Sequence, residues 1–310
     1  MGERGRGRAR IGHRAVAVAT AAAALLGGAT TATAAPRCAG VTGAPTPVAR
    51  TGGSIEALAV DPQGRLYLSD NSGAGRVLRI DRPGEAPRVI AAVAAPGGIV
   101  VQADGTLLVG TGNGQAALLA ALLPRAGVVR VDPATGAVTS VAGKLGMANG
   151  VTRDDAGNVY ATSLYDGAVD RIAPDGRVRR AWASVPTANG IAVDAARHQL
   201  FVTRSLLGAG VSRVSLDPPY RVRPYATAKG LDLLGFPDGL TIDPTGQPVV
   251  AAFLAGEVWR VTGGGSVCRL AGGMPQSTSV AFGRGASGFA AGHLYRGGYD
   301  GTIYEIPTGT

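Results

Sequence analysis

Six stretches of this chain open alike, each a strand-like run, a polar turn and a second strand-like run. They are IEALAVDPQGRLYLSD (55–70), PGGIVVQADGTLLVGT (96–111), ANGVTRDDAGNVYATS (148–163), ANGIAVDAARHQLFVT (188–203), PDGLTIDPTGQPVVAA (237–252) and STSVAFGRGASGFAAG (277–292), spaced about forty to fifty residues apart. A period of that length marks a repeat architecture. Downstream of these runs lies a third strand such as GRVLRIDR or GEVWRVTG, and often a fourth such as APRVIAAV. One four-stranded unit cannot bury both its faces, so such units stack around an axis until the ring closes. The pattern predicts an all-β fold, a six-bladed β-propeller of four-stranded antiparallel blades, spanning residues 53–310. Composition agrees, since 49 glycines and 19 prolines among short Val, Ile, Leu and Tyr runs favour turns over long helices. The last unit is short of a fourth strand. TPVART (46–51), within an N-terminal segment 35–52, is the candidate to close the ring and remove its edge.

Residues 1–34 stand apart from the repeats. A basic RGRARIGHR, an apolar AVAVATAAAALLGGA and a small-residue ATA at 32–34 have the layout of a secretory signal cut after Ala34. A permanent anchor is the alternative, although the apolar run is shorter than the roughly 20 residues a spanning helix needs. The expectation is a secreted, extracellular, monomeric protein with no membrane contact after processing. Removing the signal takes net +4 from the whole-chain +9 and leaves about +5. With basic residues scattered and no Lys/Arg cluster, no nucleic-acid partner is expected. Cys38 and Cys268 are the only cysteines, and in an oxidising space a disulfide between them is the natural reading, two free thiols the other.

Aligning the repeats at the residue that opens each first strand gives Glu56, Gly97, Asn149, Asn189, Asp238 and Thr278. The first strand of a blade lies nearest the axis, so these six should form one ring. Carboxylate and amide oxygens converging there would be costly without a positive charge among them. A donor set of hard oxygens suits calcium best, with magnesium, manganese or zinc as further candidates. The competing reading is that Asn and Asp satisfy backbone groups at the strand entrance. Glycines 150, 190 and 239 are expected to let the backbone bend so that the preceding side chain turns inward. Gly110-Thr-Gly-Asn-Gly114 lacks the Lys-Ser/Thr of a phosphate loop and reads as a flexible loop.

Glu56, the Asn-Gly pairs of blades three and four, FPDGLTID in blade five and TSVAFG in blade six together resemble the senescence marker protein (regucalcin)/gluconolactonase family, from about residue 50 to 308. The resemblance implies one divalent cation held by Glu56, Asn189 and Asp238. It places Asn149 beside the metal, holding water or substrate, and implies lactone hydrolysis with Asp238 as general base. Two departures bear on the substrate: Ala57-Leu58 follows Glu56 where the family commonly has Gly-Pro, and Met147 stands where animal sugar-lactonases carry arginine. No Gly-x-Ser-x-Gly elbow offers another nucleophile, and His198 and His293 read as structural. Loops between second and third strands rise on the face of the ring. From them Leu118, Leu119, Tyr165, Leu206 and Phe253, with Met147, are expected to make an apolar mouth, and 113–127 either a short helical lid or packing against the next blade. A lactone or ester hydrolase acting on an apolar substrate is the leading reading. A non-catalytic binding propeller with a structural metal, or a propeller enzyme of other chemistry, is the alternative.

Overall fold

A computed structural model describes residues 35–114, 126–262 and 265–309. The chain enters through β1 (Thr46–Arg50) and then builds six sheets in turn. Blade one is β2 (Ile55–Val60), β3 (Leu66–Asp70), β4 (Arg76–Ile80) and β5 (Arg88–Ala92). Blade two is β6 (Ile99–Val101), β7 (Leu107–Gly110), β8 (Ala126–Val131) and β9 (Val138–Leu145). Blade three is β10 (Val151–Arg153), β11 (Val159–Ser163), β12 (Ala168–Ile172) and β13 (Val178–Ser184). Blade four is β14 (Ala188–Asp194), β15 (Gln199–Arg204), β16 (Gly210–Ser215) and β17 (Val222–Thr227). Blade five is β18 (Pro237–Ile242), β19 (Pro248–Ala252), β20 (Glu257–Val261) and β21 (Val267–Ala271). Blade six is β22 (Ser277–Phe282), β23 (Leu294–Gly298) and β24 (Thr302–Ile306), with β1 as its outer strand. All six sheets are four-stranded and antiparallel, and together they form a six-bladed β-propeller.

Position within a blade explains strand composition. Second strands are pressed by neighbouring blades on both faces, so LYLSD of β3, VYATS of β11 and PVVAA of β19 are buried throughout. Outer strands meet solvent, and RVIAA of β5, VRRAWAS of β13 and VRPYAT of β17 carry exposed arginines that blunt the edge. The apolar core is correspondingly divided into wedges between blades. Leu58, Leu66 and Leu68 of blade one pack with Tyr295 and Ile303 of blade six. Val249, Val258 and Leu270 of blade five meet Val280 and Leu294 of blade six. The turns between first and second strands are set by an aspartate that caps its own backbone: Asp61 accepts from the amides of Gln63 and Arg65, and Asp243 from those of Thr245 and Gln247.

Two links tie the early chain to the last two blades. β1 pairs with β24, Thr46 opposite Glu305 and Arg50 opposite Thr302. Cys38 is disulfide-bonded to Cys268 on β21, across 230 positions of sequence. Leu118 and Leu119, with most of the 113–127 loop, lie outside the described residues. Among the described residues no helix is long and apolar enough to cross a membrane.

Candidate metal centre and active site

In every blade the first strand carries an irregularity where it meets the axis. Ile55 pairs with Asp70 and Ala57 with Ser69, which leaves Glu56 as an extra residue between them. The same slip falls on Asn189-Gly190, Asp238-Gly239 and Thr278. In blade three Thr162 accepts from the Asn149 amide at 3.1 Å and donates to the Gly150 carbonyl at 2.9 Å, so two residues oppose one. Gly97 and Gly98 oppose Gly110 in the same way. A β-bulge bends its strand and re-aims one side chain. Six bulges in one register turn six consecutive ring positions toward the axis.

Threonines on the blades fix that register between neighbours. Thr162 accepts from the Gly150 amide at 2.8 Å and donates to the carbonyl of Asn189 in the next blade. Thr203 accepts from the Gly190 amide at 2.7 Å and donates to the Asp238 carbonyl at 2.7 Å. Thr278 donates to the Ile55 carbonyl at 2.6 Å, closing the circuit from blade six to blade one. Thr278 thus does the backbone-satisfying work that the competing reading assigned to Asn and Asp.

Glycines 150, 190 and 239 have a different cause from the tight bend expected of them, because none has a left-handed φ. A Cβ at Gly150 would lie 2.5 Å from the Asn189 carbonyl oxygen, at Gly190 2.4 Å from that of Asp238, and at Gly239 2.5 Å from that of Thr278. They are glycine because the neighbouring blade's backbone occupies the space a side chain would need.

Glu56, Asn149, Asp238 and Thr278 line one axial cavity of about 70 Å³, with Gly190 completing the wall beside Asn189. Glu56, Asn149, Asn189 and Asp238 are all buried. Asn149 donates from Nδ2 to Asn113 Oδ1 at 3.1 Å. Asn189 donates from Nδ2 to Ser205 Oγ at 3.0 Å, and Ser205 donates onward to the Pro237 carbonyl at 2.7 Å. Asn189 also reaches the Asp238 carboxylate, and its buried Oδ1 has no hydrogen-bond partner. Tyr299 donates its hydroxyl to Glu56 Oε2 at 2.5 Å. Burial pushes Asp238 well above the ordinary carboxylate range, the Glu56 charge adds to this, and the Gly239 amide offsets part of it. Burial likewise raises Glu56, with the Tyr299 hydroxyl and the Asn113 amide drawing it partly back. Burial and the Glu56 carboxylate hold the Tyr299 hydroxyl protonated, so it remains a donor.

The structure therefore brings Glu56, Asn189 and Asp238 together at the axis, with Asn149 on the same wall. Among the described residues no three His, Cys, Asp or Glu side chains gather as a metal site. The set is two carboxylates completed by amide oxygens. Two adjacent buried acids that resist ionisation, beside an amide oxygen lacking any donor, fit a hard divalent cation bound through oxygen alone.

A second tier sits above this ring, which the sequence reading did not resolve. Loop residues after the second strands, the first in four blades and the third in blade two, are hooked by their amides to carbonyls two positions before the ring: Asn71 to Ser54, Asn113 to Ala95, Ser205 to Thr187, Phe253 to Phe236 and Tyr299 to Gln276. Ala95, Thr187, Phe236 and Gln276 all hold a left-handed φ between 43° and 57°, strain that lifts each carbonyl to its loop. In blade three Leu164 takes the corresponding place and packs with Met147 against Phe236. Phe253 sits between Phe236 and Tyr299, tilted against the first and edge-to-face with the second, at 5.9 and 5.5 Å between ring centroids. Tyr165 and Leu206, expected at the mouth, lie one residue beyond the tier and are 46% and 58% exposed. Met147 is buried in the wall. His198 and His293 lie elsewhere, His198 closing a short turn after β14 and His293 bonded to Glu305 at 2.7 Å.

A family model described as the SMP-30/gluconolactonase/LRE-like region matches residues 56–289, from Glu56 into the blade-six repeat. The chain belongs to that family. Among solved structures, a gluconolactonase from Xanthomonas campestris superposes with a TM-score of 0.67 at 19% identity, covering 89% of this chain and 97% of its own. Regucalcin from Agrobacterium tumefaciens, described as a calcium-binding protein, gives 0.64 at 17% identity, covering 85% and 93%. A streptogramin B lyase gives 0.55 at 14% identity, covering 86% and 87%. At these identities the likeness is one of fold, and the fold is shared by a hydrolase, a calcium-binding protein and a lyase. No curated protein matches the sequence significantly.

Proposed function

We propose that this member of the family is a divalent-metal-dependent lactone hydrolase, with Asp238 as the general base and an apolar lactone or ester as substrate. The observation that carries the reading is that Glu56 and Asp238 line one axial cavity, with Asn189 hydrogen-bonded to Asp238 and its own buried oxygen unpartnered. Glu56, Asn189 and Asp238 would hold the cation, calcium in the first instance. When bound, such an ion supplies Lewis-acid polarisation of the ester carbonyl and lowers the pKa of water.

The protein groups divide the remaining work. Asp238 takes a proton from the attacking water as its oxygen bonds to the carbonyl carbon. The ring ester C–O bond then breaks, and the proton passes to the departing alkoxide, leaving a hydroxy acid. Asn149, its amide nitrogen anchored on Asn113, is placed to orient the water or the lactone oxygen. Tyr299 keeps Glu56 aimed into the cavity. Asn71 and Asn113 give the tier polar members on blades one and two, and Leu164, Phe236 and Phe253 apolar ones on blades three and five, so a substrate with an apolar tail and a polar head is favoured over a sugar acid. Met147, in place of an arginine, removes the charged anchor a sugar acid would use.

The test is a panel of acyl lactones and gluconolactone, assayed with and without chelator on the wild type and on Asp238→Asn. Metal-dependent turnover favouring the acyl lactones, reduced about 100-fold or more in the variant, is expected. A preference for gluconolactone would overturn the substrate class. Metal binding without turnover on any lactone would make the protein a binding propeller.

A further inference from the structure

Ahead of β1, the backbone nitrogen of Ala35 donates to Asp232 Oδ1 at 3.2 Å. Ala35 is buried, 5% exposed, although it lies 197 positions from its partner in sequence. Its segment is fastened along β21: Arg269 donates its amide to the Pro36 carbonyl at 2.7 Å, Cys38 donates its own to the Arg269 carbonyl at 2.9 Å, and the Cys38–Cys268 disulfide follows at once. The residue before Ala35 ends the Ala-Thr-Ala run that has the form of a processing site. We propose that the chain is cut between Ala34 and Ala35, and that the α-ammonium group created there forms an ion pair with Asp232 that anchors the segment leading to Asp238.

The cut is a hydrolysis. The Ala34–Ala35 C–N bond breaks, water gives its hydroxyl to the Ala34 carbonyl carbon and a proton to the nitrogen, and the amine takes one more proton from solvent. The donor at Asp232 is retained, and a full positive charge is added to it. The surroundings call for that charge. Asp232 lies half-buried, burial raises its affinity for a proton, and the nearby Glu257 carboxylate raises it further. Arg269 is already engaged by Glu257 at 2.9 Å, and Lys229, just before the turn that holds Asp232, is exposed. Glu257 also accepts from Trp259 Nε1 at 2.6 Å.

The pair would act on the site through a short stretch of chain. Asp232 lies in a 3₁₀ turn, Gly230–Leu234, and its carbonyl accepts from the Gly235 amide at 3.0 Å. Gly235 lies over the Trp259 ring, where a Cβ would come within 2.1 Å, and its carbonyl accepts from Leu254 at 3.0 Å. Phe236, with its left-handed φ of 54°, follows, and Asp238 is two residues further on. Fixing Asp232 thus fixes the entrance to the blade-five bulge.

The pH sign follows from the charge of the amine. Pairing raises the α-amino group above its ordinary value of about 8. Its stabilisation is therefore complete below that value and is lost as pH rises through the raised one. The experiment begins with intact mass and N-terminal sequence of protein recovered from an exporting host, where the first residue should be Ala35. Thermal unfolding, disulfide intact and without lactone, then compares a chain starting at Ala35 with one carrying Gly-Ser ahead of it, each with Asp232 and with Asp232→Asn. At pH 7 the Ala35 chain should melt about 2–4 °C higher than the extended one. That gap should close above about pH 10 and be absent in Asp232→Asn. Equal melting, a gap that survives Asp232→Asn, or a mature chain starting elsewhere would overturn the proposal. Because the readout needs no turnover, the outcome is separate from that of the lactone panel.

Discussion

Glu56 and Tyr299 stand 243 positions apart and meet through one short hydrogen bond. That contact shows what single residues contribute here: the proposed ligand side chains come from the ring, and the Glu56 carboxylate is held by the tier above. Replacing Tyr299 by Phe removes the donor and leaves the ring in place. Glu56 should then hold its proton more tightly, and divalent-cation affinity should fall about 10-fold to 100-fold with the melting curve little changed, as read by calorimetric titration. Glu56, Asn189 and Asp238 were legible in the sequence because the repeat places them in one register. Tyr299, Asn113 and Ser205 were not, since their loops differ in length and only folding shows which residue follows each second strand. Tyr165 and Leu206 missed the tier by one position for that reason. Comparing the residue after each second strand would have exposed the tier in five repeats, though not Asn113, which lies three residues past β7.

The bulge and the glycine beside it are the element-level device. Alternation cannot show these bulges, because a single strand residue (Ile55, Ala188, Pro237 or Ser277) precedes the extra one and a slip in phase needs alternation on both sides. Asn-Gly and Asp-Gly were visible as motifs, but the cause of the glycine lies in the adjoining blade. At Gly239 the obstacle is a backbone oxygen, Thr278 O, and no flexible side chain can move aside. Gly239→Ala should accordingly cost about 2 kcal/mol or more of stability. Gly143→Ala, where a Cβ meets nothing within 4 Å, serves as the control and should stay near the wild type. Urea melts of the two variants decide the matter, and equal midpoints would mean the blades can separate to admit a methyl group.

At the scale of the whole molecule the repeat period was enough to read the architecture, because six wedges of apolar contact leave only ring closure as a stable solution. β1 on β24 and Cys38 on Cys268 tie the early chain to blades six and five, the blades that supply Tyr299 and Asp238. Closure places side chains from separate sheets at one axis, where a single divalent cation is proposed to bind. The decisive measurement is calorimetric titration of calcium into chelator-treated protein, for the wild type and for Asp238→Asn. Saturable binding of one ion per chain is expected, with protons released as the two carboxylates ionise, and binding lost in the variant. No saturable binding in the wild type, or equal affinity in Asp238→Asn, would contradict it.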